Sequence, residues 1–206
     1  KLEKENLKLC SGWYGANLLK NTVKEEILIM RDQLNLFKEC NAPCMVVAEV
    51  SGSIQGQVKI PLSKRPILNT DEWKIFYKKI NEISKYMEDN GVPLAYHHHM
   101  GTVVQSQEDT ERLIDNTSDT VKLLIDTGHM MFAGGDFVKI AKDYSTRLQH
   151  VHCKDIRKDI LNIAIKDDLS FINAFFAGAF TVPGDGCIDY KPILELLKKI
   201  NYNGWL

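Results

Sequence analysis

No stretch of this sequence approaches the ~20 consecutive apolar residues that a membrane-spanning helix needs, and the opening KLEKENLKLC holds no apolar core of the kind a secretion signal carries. A cytoplasmic location with no membrane partner is therefore expected. A surplus of positive charge is missing too: 26 Lys+Arg stand against 27 Asp+Glu, for a formal net charge of −1. A protein that grips nucleic acid through its phosphates carries a basic excess or stripe, so nucleic acid is not an expected partner. Paired cysteines are also absent. The five present (Cys10, Cys40, Cys44, Cys153 and Cys187) are odd in number, scattered and never in a CxxC pair, which excludes a disulfide framework and a thiolate zinc site.

What remains is an ordinary globular composition, with 44% hydrophobic and 26% charged residues over a length of 206. That is enough chain for one sizeable core, and a single domain over 1–206 is expected. Along it, short apolar runs alternate with stretches of helical spacing. Leu7 to Cys10 reads as a first strand, followed by Ile27, Met30, Leu34 and Phe37 at helical intervals between Lys24 and Cys40. Pro43 to Val50, Val92 to His97, Val121 to Ile125 and Leu148 to His152 read as further strands. Helices are expected at Asp71 to Asp89, Ser106 to Asp115, Asp136 to Tyr144 and Lys191 to Ile200, and Tyr202 to Leu206 reads as the start of a sixth strand.

Strands alternating with helices build a parallel α/β sheet. Polar residues fall at the carboxyl ends of these strands (Glu49, His97 and His99, Asp126, His152), and a (β/α)8 TIM barrel collects its catalytic groups on that rim. A barrel is therefore expected. With about five and a half units where eight are usual, the expectation is a barrel truncated at both ends.

The six histidines fall in three places only: AYHHHMGT (His97, His98, His99), LLIDTGHM (His129) and LQHVHCKD (His150, His152). Strand side chains alternate, so His97 and His99 share a face while His98 takes the other; His150, His152 and Lys154 likewise share one. Asp126 ends an apolar run, where a lone carboxylate is costly without a cation or donor. Imidazole and carboxylate together suit a divalent transition metal. Asp126 and His152 are the candidate metal ligands, with His97, His99 or Glu49 as a third, while His98 and His150 read as structural. Trp13 and Tyr14 read either as core aromatics or as a pocket wall. The loop FTVPGDGCIDY places Gly184 and Gly186 around Asp185; it reads as a turn into the last helix that also covers the barrel mouth, and its GxG is weak as a phosphate signal because it does not lead from strand directly into helix.

The segments AYHHHMGTVVQ, LLIDTGHMMFAGGD, HVHCKDIR, FTVPGDGCIDY and NYNGW resemble the myo-inosose-2 dehydratase family, among the xylose isomerase-like metal-dependent barrels. The resemblance covers about Leu7 to Trp205. It implies a metal, Mn²⁺ or Co²⁺, held by Asp126, His152 and residues of two other strands, one of them a Glu beyond Trp205. Relatives place a Glu where this chain has YHHH. The resemblance further implies elimination of water from 2-keto-myo-inositol to a trihydroxycyclohexane dione, glutathione as a possible cofactor, a small polyol ketone as partner and a possible homo-oligomer. On that reading His129 and Lys154 serve proton transfer and enediolate stabilisation, His97 or His99 protonates the departing hydroxyl, and Trp13, Tyr14, Glu49, Asp185 and Arg157 contact substrate. The rival readings are a ketose epimerase or isomerase, a metal-free sugar-binding barrel, and an abasic-site nuclease, the last disfavoured by the charge balance.

Overall fold

The computed structural model describes residues 2–206. Parallel strands β1 (Trp13–Ala16), β2 (Met45–Glu49), β3 (Leu94–His97), β4 (Val121–Asp126) and β5 (Leu148–His152) lie side by side in chain order. Helices α1 (Val23–Glu39), α2 (Thr70–Asp89) and α3 (Gln107–Asp115) make the crossings, each started by a capping box: Thr22 with Glu25, Asn69 with Glu72, Ser106 with Asp109. After β4 come α4 (Thr127–Phe132) and α5 (Phe137–Asp143). Beyond β5 a short antiparallel pair, β6 (Asp155–Ile156) and β7 (Phe180–Thr181), encloses α6 (Lys158–Lys166) and α7 (Phe171–Phe176), and α8 (Lys191–Lys199) follows.

The two faces of the sheet differ. Met45, Val47, Leu94, Tyr96, Leu123, Ile125 and Val151 join one large core with the inward stripes of the helices, including Met30 and Leu34 of α1 and Phe76, Ile80 and Ile83 of α2. The opposite face carries a separate small cluster of Cys44, Val46, Ala95 and Leu124, contributed by β2, β3, β4 and the approach to β2 without any helix. A doubly wound sheet is covered by helices on both faces, whereas a barrel packs strand against strand on its inner face. The strand-only cluster marks that inner face. Alternation then carries His97, Asp126, His150 and His152 to the same side, toward the carboxyl ends.

Two expected strands are corrected. Leu7 to Cys10 is not a strand; Leu7 is largely exposed, and pairing starts at Trp13, opposite Val46. Glycines obscured it: β1 is flanked by Gly12, where a Cβ would strike the Phe37 ring, and contains Gly15, held close to Val50. Glycine in a strand often marks such close approach and weakens its sequence signal. Tyr202 to Leu206 is not a strand either. Its backbone bends at Gly204, and it meets β5 only through a side chain: the Tyr202 hydroxyl donates to the Trp205 carbonyl at 2.8 Å and reaches the Gln149 carbonyl at 3.4 Å, with no backbone ladder. Among the described residues no helix is long and apolar enough to cross a membrane.

Candidate active site

Asp126 sits at the centre. It ends β4 and caps α4: its Oδ1 accepts the His129 N–H at 2.9 Å, the usual work of an N-cap carboxylate. Its Oδ2 is buried, has no properly aligned hydrogen-bond donor, and is approached by Lys154 Nζ at 3.1 Å, His152 Nδ1 at 3.3 Å and His97 Nε2 at 3.6 Å. Burial opposes ionisation there, but the surrounding His129, His152 and His97 and the Lys154 ammonium outweigh it and hold the carboxyl well below its usual range. Because burial also keeps His129 neutral, the lasting charge partner is Lys154.

The motif around Asp126 follows from these contacts. Thr127 Oγ1 donates to the Lys154 carbonyl at 2.7 Å and accepts the Lys154 N–H at 3.1 Å, clasping α4 to the end of β5. Gly128 lies where a Cβ would stand 2.9 Å from that same carbonyl. Asp, Thr, Gly and His thus supply in order a cap, a clasp, a close approach and an imidazole. The register Asp126↔His152 sets those two side by side, while His97, opposite Leu124, reaches in from β3.

Hydrogen-bond partners assign the imidazole protons. His97 Nδ1 lies 2.5 Å from the His98 carbonyl and His99 Nδ1 lies 2.8 Å from the Met100 carbonyl, so both rings donate from Nδ1 and leave Nε2 a lone pair. His129 is the opposite: its Nδ1 accepts the Met100 N–H at 3.3 Å, so the neutral ring carries its proton on Nε2, a buried atom without a partner. The His99 and His129 rings stand 4.0 Å apart, one offering a lone pair and the other a proton. His97, Asp126 and His129 present atoms within 4.8 Å of one another, but a nitrogen that carries hydrogen does not ligate a cation. Burial drives His99 to about 3 and lowers His97 as well, so both are neutral near pH 7.

Aromatic rings wall this cluster. Trp13, partly exposed, meets His97 and His99 edge-on at 5.7 and 5.5 Å. Phe171 stacks with His129 at 5.6 Å, and Phe180 lies 5.1 Å from His129 and 5.2 Å from Lys154 Nζ. Sequence reasoning did not single out Phe171, Phe180 or Thr127; their signal is only proximity in space.

Other expected site residues lie elsewhere. Tyr14 alternates with Trp13 to the helical side, where its hydroxyl donates to Glu26 at 2.7 Å. Glu49 is no metal ligand here: it is on the same side as Met45 and Val47, and its two oxygens accept the N–H groups of Leu18 at 2.7 Å and Ser51 at 2.8 Å. Asp185 and Arg157 bind one another and Thr181 on the outer loop rather than the cluster. His98 serves structure: its Nε2 accepts the Asp126 N–H at 3.2 Å. His150 is buried, and its Nδ1 has no partner.

The family model of xylose isomerase-like TIM barrels matches residues 1–206. The chain is 42% identical to the rhizopine catabolism protein MocC of Rhizobium meliloti over 205 residues, all of this chain and 63% of that protein. It is 38% identical to an inosose dehydratase of Clostridium tetani, again over its whole length and 70% of that enzyme. The chain thus spans about two thirds of the length of these curated relatives. Among solved structures, the probable 3-DHS dehydratase AsbF of Bacillus anthracis superposes with a TM-score of 0.74 at 14% identity, covering 99% of this chain and 70% of that one. The IolI protein, with a bound zinc atom, does so with a TM-score of 0.67 at 18% identity, covering 97% of this chain and 66% of that one. These two share the fold.

Proposed function

The chain belongs to the xylose isomerase-like TIM-barrel family, and from that premise we propose that it is an inosose dehydratase, a carbon–oxygen hydro-lyase of inositol catabolism that eliminates water from 2-keto-myo-inositol. The observation that carries this reading is the single buried carboxylate oxygen of Asp126 ringed by His97, His152 and Lys154, in a chain 37–40% identical to inosose dehydratases of several bacteria.

The residues fit a divalent metal. Asp126 Oδ2 is an anionic oxygen with no aligned donor, and His97 Nε2 is a free lone pair held in direction by the His98 carbonyl. Asp126, His97 and His152 are the residues that would hold the ion, with Mn²⁺ or Co²⁺ suited to an oxygen and imidazole set. When bound, such an ion supplies Lewis acidity at the substrate's carbonyl.

The protein's own groups divide the proton work. The His99 Nε2 lone pair is the base for the hydrogen next to the carbonyl; burial leaves it free of protons at neutral pH, and negative charge growing on the substrate raises its basicity. The His129 Nε2–H is the acid for the departing hydroxyl. This exchanges the roles expected from sequence, because the Met100 peptide accepts from one ring and donates to the other. Lys154, at the edge of the cluster, counters the developing oxyanion. Trp13, Phe171 and Phe180 present apolar faces to the carbon–hydrogen side of a polyol ring and exclude water.

The test is incubation with 2-keto-myo-inositol and Mn²⁺, Co²⁺ or Mg²⁺, with and without glutathione, following the dione; rhizopine-derived substrates are assayed beside it because of the MocC relative. Dione formation is expected with Mn²⁺ or Co²⁺. Epimerised polyol without dione under every condition would overturn the assignment.

A further inference from the structure

The glycine-rich loop after β7 supplies no group to that proton chemistry. Its backbone is gathered on one side chain. Asp155, fully buried, accepts the Ile156 and Ile188 N–H groups on Oδ1 at 2.8 and 3.0 Å, and those of Gly184 and Gly186 on Oδ2 at 2.9 and 3.1 Å. Successive amides converging on one point form a nest suited to an anion. Here the chain fills that nest with its own carboxylate, so the loop has no vacancy for a phosphate. Burial alone would raise the Asp155 carboxyl, but the four amides outweigh it and hold it below the usual carboxylate range.

The nest lies one residue from the site. Lys154, whose ammonium faces Asp126, directly precedes Asp155, and Phe180, whose ring faces both His129 and Lys154, pairs through Ile156 in the β6–β7 ladder. The Cys187 N–H closes the loop on the Ile156 carbonyl at 2.9 Å. Arg157 braces it from outside, donating to the Gly178 carbonyl and to Thr181 and Asp185.

We propose that Asp155 is a positioning residue: its carboxylate folds residues 180–188 into the wall that holds substrate against Lys154 and His129. Asn at this position keeps the shape, but its amide nitrogen cannot accept an N–H, so at least one pair of loop amides loses its partner. Gly186→Ala attacks the same contact from the loop, because a Cβ there would run into the Asp155 carboxylate.

Both variants are tested by hydrogen exchange followed by mass spectrometry and by steady-state kinetics, the kinetic arm resting on the dehydratase reading. Amides in 182–188 are expected to exchange about tenfold faster or more, as in a local opening, while peptides of β2 to β4 keep their protection. The KM for 2-keto-myo-inositol should rise roughly tenfold with kcat little changed, the mark of binding lost equally in ground and transition states. A mere loss of folded protein would lower kcat at constant KM. Loop exchange unchanged in both variants, or that fall in kcat alone, overturns the proposal. If Asp155→Asn does not fold, Gly186→Ala decides. If the unaltered protein forms no dione, the functional reading fails while the exchange result still judges the clamp.

Discussion

Asp126 uses its two oxygens for different purposes, and that division can be tested. Asp126→Asn retains an oxygen to cap α4, since Asn is as good an N-cap as Asp, but removes the charge that faces His97, His152 and Lys154. The variant should keep its circular dichroism spectrum while calorimetric Mn²⁺ affinity falls by more than about 100-fold, beyond the usual cost of losing an outer partner of a metal ligand. Unaltered affinity would remove Asp126 from the metal site. The two imidazoles separate by isotope. His129→Gln should slow dione formation by about 10²–10⁴-fold, the range of general acid catalysis, and leave exchange of the substrate's α-hydrogen with solvent deuterium largely intact. His99→Gln should depress both. Equal loss of exchange in the two variants would show that the Met100 peptide does not sort them into base and acid.

Among elements, the clasp between α4 and the end of β5 controls where Lys154 points. Thr127 Oγ1 makes its two shortest hydrogen bonds to the Lys154 backbone, and Gly128 is pressed against the same carbonyl. Thr127→Val keeps the shape and leaves a half-buried N–H and carbonyl short of a partner, which costs about 1 kcal/mol. A denaturation midpoint lowered to that extent is expected. Gly128→Ala is expected to shift Lys154 in the link between β5 and β6, so activity should fall further than stability. An alanine variant with full activity would mean that the close approach is slack. The capping boxes of α1, α2 and α3, Thr22/Glu25, Asn69/Glu72 and Ser106/Asp109, are local contacts, and the helices they start were legible from their own spacing. The strand β1 was not, since its glycines are chosen by Phe37 and Val50, which arrive from elsewhere in the chain.

At the scale of the whole molecule, burying neutral imidazoles ties stability to pH. Burial brings His98 and His99 to about 3 and His150 to about 4, from the ordinary value of 6.5. Each therefore binds fewer protons folded than unfolded between those limits. The stability they contribute is full above pH 6.5 and is lost as pH falls toward 4. In chelated protein the melting temperature should decline across that window, and less steeply for His150→Gln. A flat profile would mean that these rings are reached by water.

The sequence alone determined what depends on order and period. Alternating apolar runs and amphipathic helices specified a parallel α/β architecture, because a strand buried on both faces and a helix buried on one each leave their own spacing. The three histidine-bearing segments and Asp126 were legible together for the same reason: polar groups closing apolar strands stand out against their neighbours. Tertiary structure decided the rest. Which carboxylate faces the cluster depends on the alternation within each strand, which put Tyr14 and Glu49 on the helical side with Met45 and Val47 and turned Asp126 to the opposite face with Leu124. Which ring nitrogen carries the proton in His99 and in His129 depends on the Met100 backbone, whose N–H and carbonyl point at different rings. No one-dimensional pattern encodes that choice. A ring nitrogen's role is set by the partner beside it, and packing brings that partner from a different segment of the chain.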